Sequence, residues 1–85
     1  MITRKVAAEK VTDYLHHKMS LSELVDWAET AMMQEEFDER DFDVIRDCLA
    51  RLGLADVRAF GLTWEDCESL LRSLGCAVRV EVKVA

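Results

Sequence analysis

The chain has 85 residues, 51% of them hydrophobic and 33% charged, with a formal net charge of −6 and no proline. That length allows one domain with a modest core, and the composition excludes a disordered or low-complexity chain. No stretch reaches the roughly 20 apolar residues of a membrane span. Glu9, Lys10 and Asp13 break up the N-terminal segment, so no signal-peptide core is read there and the cytoplasm is the expected compartment.

Four helix starts share one grammar: a capping residue with an apolar neighbour before it and another four positions after it. Ile2-Thr3 followed by Ala7 is the weakest example and opens a helix over about 4–17, with Ala7, Val11, Tyr14 and Leu15 on one face. His16-His17 at its end suit a helix C-terminus, where an imidazolium complements the dipole. Adjacent helical residues point about 100° apart, so these two side chains make a poor metal pair.

Met19-Ser20-Leu21-Ser22-Glu23-Leu24 is the clearest start, with Ser20 and Glu23 spaced as a capping box and Met19 and Leu24 as a staple. The helix over 21–34 carries Leu21, Leu24, Val25, Ala28, Ala31 and Met32 on one stripe, with Trp27 at its margin. Phe37-Asp38 followed by Asp41-Phe42 repeats the pattern for a helix over about 39–52, whose apolar face is Phe42, Ile45, Cys48, Leu49 and Leu52 and which Gly53 is suited to end in the left-handed conformation. Residues 54–60, with Leu54, Val57 and Phe60, fit a short helical turn better than a strand. Leu62-Thr63 followed by Asp66-Cys67 opens a helix over about 64–74, bearing Cys67, Leu70, Leu71 and Leu74, with Gly75 as its stop.

The tail changes period. Val78, Val80, Val82 and Val84 alternate with Arg79, Glu81 and Lys83, which predicts a half-buried strand over about 77–84. A lone strand cannot satisfy its own backbone, so it pairs with residues 56–60, with the first few residues, or with a second copy or another protein. The expected fold is therefore mostly α (α+β at the margin): a single domain over 1–85, a compact bundle of about four helices plus a helical turn and one C-terminal strand.

Charge is unevenly spread. Residues 23–47 hold ten acidic side chains against Arg40 and Arg46, whereas residues 1–22 are net positive and 48–85 balanced. Such a surface repels phosphate backbones and anionic lipid. Drawn as a helix-turn-helix, the second and third helices would offer Glu39, Asp41 and Asp43 to DNA, the wrong charges for a recognition helix. The run from Glu35 to Asp43 fails as a calcium loop: from Asp38, the third, fifth and sixth positions are Arg40, Phe42 and Asp43. Two readings stay open for it: first-turn acids that suit the helix dipole, or a recognition patch for a basic protein made of Glu35, Glu36, Asp38, Glu39, Asp41 and Asp43 with Trp27 as anchor.

Cys48 and Cys67 sit on apolar faces and read as small core hydrophobes, while the odd count with Cys76 argues against a disulfide scaffold. No residue is assigned to catalysis, a cofactor or a metal, so a thiol- or metal-dependent enzyme is the poorest reading.

The stretches Ser20-Leu21-Ser22-Glu23-Leu24-Val25-Asp26-Trp27-Ala28-Glu29 and Leu52-Gly53-Leu54-Ala55-Asp56-Val57-Arg58-Ala59-Phe60-Gly61-Leu62-Thr63-Trp64-Glu65-Asp66-Cys67 resemble a group of short uncharacterised bacterial proteins with no assigned activity. The resemblance implies a bacterial origin and a stand-alone domain. Size, acidity and helical content are also similar to small immunity and antitoxin proteins, an analogy without a motif. The expected function is a non-enzymatic, acidic protein-interaction module, a regulator or neutralising partner of a basic protein. The alternative is a structural homodimer joined through Val78, Val80, Val82 and Val84.

Overall fold

The computed structural model describes residues 1–34, 37–57 and 61–78. In chain order they form α1 (Arg4–Leu15), α2 (Leu21–Gln34), a 3-10 turn (Glu39–Asp41), α3 (Phe42–Gly53) and α4 (Trp64–Ser73). No helix among them is long and apolar enough to cross a membrane.

Each start is built as local chemistry dictates. Thr3 accepts the Val6 N–H at 3.2 Å. At α2, Ser20 Oγ accepts the Glu23 N–H at 3.1 Å while Glu23 Oε1 accepts the Ser20 N–H at 3.0 Å, closing a reciprocal box. Thr63 and Asp66 do the same for α4, at 3.1 and 2.9 Å. The third start differs from expectation. Asp38 caps a 3-10 turn through the Arg40 N–H rather than an α-helix through Asp41, and α3 proper begins at Phe42.

The helix ends supply a second correction. Gly53 stays helical, and Leu54 is the residue that caps α3. At α4 the expected stop holds: Gly75 takes φ +88°, the Gly75 N–H donates to the Arg72 carbonyl at 3.0 Å, and the Cys76 N–H reaches back to Leu71 at 2.9 Å. This is the Schellman arrangement. α1 ends in the same way with no glycine. The His17 N–H donates to Tyr14 at 3.1 Å and the Lys18 N–H to Asp13 at 2.8 Å, with His17 at φ 60°.

One apolar cluster joins all four helices. It runs through Ala7 and Val11 of α1, Leu24, Ala28 and Ala31 of α2, Ile45, Cys48, Leu49 and Leu52 of α3, and Cys67, Leu70 and Leu71 of α4. α2 and α3 make the most extensive pair, and α1 packs on each of the other three. The Cα radius of gyration is 12.8 Å, against about 12 Å for a compact chain of this length.

Residues 54–57 turn through bonds from the Leu54, Ala55 and Val57 N–H groups to carbonyls three residues earlier; residues 58–60 lie outside the described part. No sheet occurs among the described residues. The expected strand over 77–84 falls mostly beyond them: Val80, Val82 and Val84 are outside, and Val78 is half-buried against the core in irregular backbone. The first residues, named above as one partner for that strand, are engaged elsewhere. Ile2 forms a parallel bridge with Phe37, and its carbonyl accepts the Asp38 N–H at 2.9 Å.

Candidate interaction surface

Of the acids expected to form one patch, those among the described residues differ in their partners. Glu35 and Glu36 lie outside the described residues. Asp41 Oδ2 accepts from Arg4 Nε at 3.0 Å, a pair that ties the start of α1 to the turn before α3. Asp38 caps its own turn and sits 3.7 Å from Arg40 Nε, and Asp43 lies 3.5 Å from Arg46 Nη1. Exposed pairs of this kind stabilise little, yet each offsets a negative charge locally. Among the described residues Glu39 is exposed and enters no ion pair.

A cleaner acidic surface lies on α2. Turning 100° per residue places Ser22, Glu23, Asp26, Glu29, Thr30 and Met33 within one stripe roughly 120° wide. All six are exposed, and α2 contains no lysine or arginine. The opposite stripe, Leu24, Val25, Ala28 and Ala31, is buried. No ion pair among the described residues involves Asp26 or Glu29. Met33, 84% exposed, adds a flexible apolar side chain at the C-terminal end of this stripe. The signal for this surface was present in the sequence, as acids at 23, 26 and 29 with the helical period and no basic residue between them.

Trp27 is half-buried against the core, with Lys10 Nζ 5.8 Å from its ring centre, a cation–π contact that braces α1 against α2. Trp64 is the more open tryptophan, 41% exposed. Phe42 is 42% exposed, but Phe37 backs its ring at 5.4 Å between centroids and the Arg46 guanidinium lies 5.7 Å from it.

The thiols face apolar surroundings. Burial pushes Cys48 up to about 12, with the neighbouring Cys67 adding to it, and burial followed by the Asp66 carboxylate raises Cys67 as well. Both are therefore thiols rather than thiolates at neutral pH, and poor nucleophiles. His16 and His17 are exposed at the end of α1, and no group of three or more metal-ligating side chains gathers among the described residues.

Comparison with known proteins returns no match among protein families, curated proteins or solved structures.

Proposed function

We propose that this protein is a non-enzymatic interaction module that offers the solvent face of α2 to a basic protein segment, in the manner of a small regulator or neutralising partner. One observation carries the reading: an exposed stripe with Glu23, Asp26 and Glu29, no basic residue on the helix, and an exposed methionine at its end. Acids on a rigid helix that enter no ion pair among the described residues attract a basic partner over about 10 Å at 0.1 M salt, and an apolar side chain gives the encounter something to bury. The acids from Asp38 to Asp43 contribute less, because three of the four already face an arginine.

The test is a tagged pull-down from bacterial lysate at low and at high salt, run with the native chain, with Asp26→Lys/Glu29→Lys, and with Asp43→Asn as the control. The expected result is one near-stoichiometric basic protein, released by salt, lost from the double reversal and kept by the control. Retention of the same protein by the double reversal overturns the assignment to α2. Recovery of the chain alone, resistant to salt, overturns the module reading in favour of self-association.

A further inference from the structure

We draw no further inference here: the strongest candidate, the Arg51 guanidinium between α3 and the first turn of α4 with its Nη1 shut off from solvent, is already committed through Nη2 to the Gly61 carbonyl at 3.0 Å and to Asp66 at 2.9 Å, and nothing among the described residues points to a ligand there.

Discussion

His17 and Gly75 stand at equivalent positions of two Schellman ends, one strained and one relaxed. A residue with a Cβ in the left-handed region carries a cost of roughly 1–2 kcal/mol, partly offset in a glycine variant by the extra freedom of its unfolded chain. His17→Gly is therefore expected to stabilise the protein by about 1 kcal/mol, raising the melting temperature by about 5 °C. Gly75→Ala runs the other way, because its φ is +88° and the new Cβ would lie 2.8 Å from Arg4 Nη1. Scanning calorimetry on the two variants checks both signs, and a destabilised His17→Gly would mean that the imidazole makes contacts worth more than the strain. The sequence placed both histidines at a helix end, but not this backbone state, because a histidine there carries none of the signal that a glycine does.

At the scale of the element, the helix starts were legible and their wider partners were not. Ser20–Glu23 and Thr63–Asp66 are contacts three residues apart, so their spacing alone predicts them. The Asp38–Asp41 pair has similar spacing, yet Asp41 turns to Arg4, 37 positions away, and the first turn tightens to 3-10. A competitor that distant leaves no local trace. Gly53 is the last residue of α3 without taking the left-handed state, because the helix closes on Leu54 at φ −95° instead. The acidic run also gains partners at this scale, since Arg4 of α1 pairs with Asp41 and Arg46 of α3 with Asp43.

The two boxes also set a pH dependence. The Ser20 backbone N–H, then its hydroxyl, holds Glu23 below its ordinary value of 4.5. The Thr63 backbone N–H does most to hold Asp66 below 3.8, with the Thr63 hydroxyl and Arg51 adding to it against the opposing effect of burial. Folded carboxyls with lowered pKa bind protons less readily than the unfolded chain, so their stabilisation is complete above the ordinary values and disappears as pH falls through the folded ones. The urea midpoint is thus expected to hold to about pH 5 and to fall below it. Glu23→Gln/Asp66→Asn should start from a lower midpoint and lose less on acidification. An identical acid slope in the double variant would assign the loss to other carboxylates.

For the whole molecule the decisive fact is that every helix contributes to one buried cluster, in which Leu49 is fully buried. A chain of this size has a total stability on the order of 4–13 kcal/mol. Leu49→Ala removes about 3 kcal/mol through lost burial and the cavity left behind, and lowers the melting temperature by about 15 °C. Cys48 and Cys67 report on the same event, since both lie in that cluster and neither is exposed enough to react in the folded state. Maleimide labelling followed by mass spectrometry should modify the two together, at a rate set by global opening. The rate should rise roughly a hundredfold in Leu49→Ala, as 3 kcal/mol of lost stability implies. Cys67 lies on α4 and Cys48 on α3, so the pair reports on two different helices. If Cys67 labels well ahead of Cys48, α4 opens by itself and the four helices are two cooperative units. If the two rise in step, the buried cluster holds the helices as a single one.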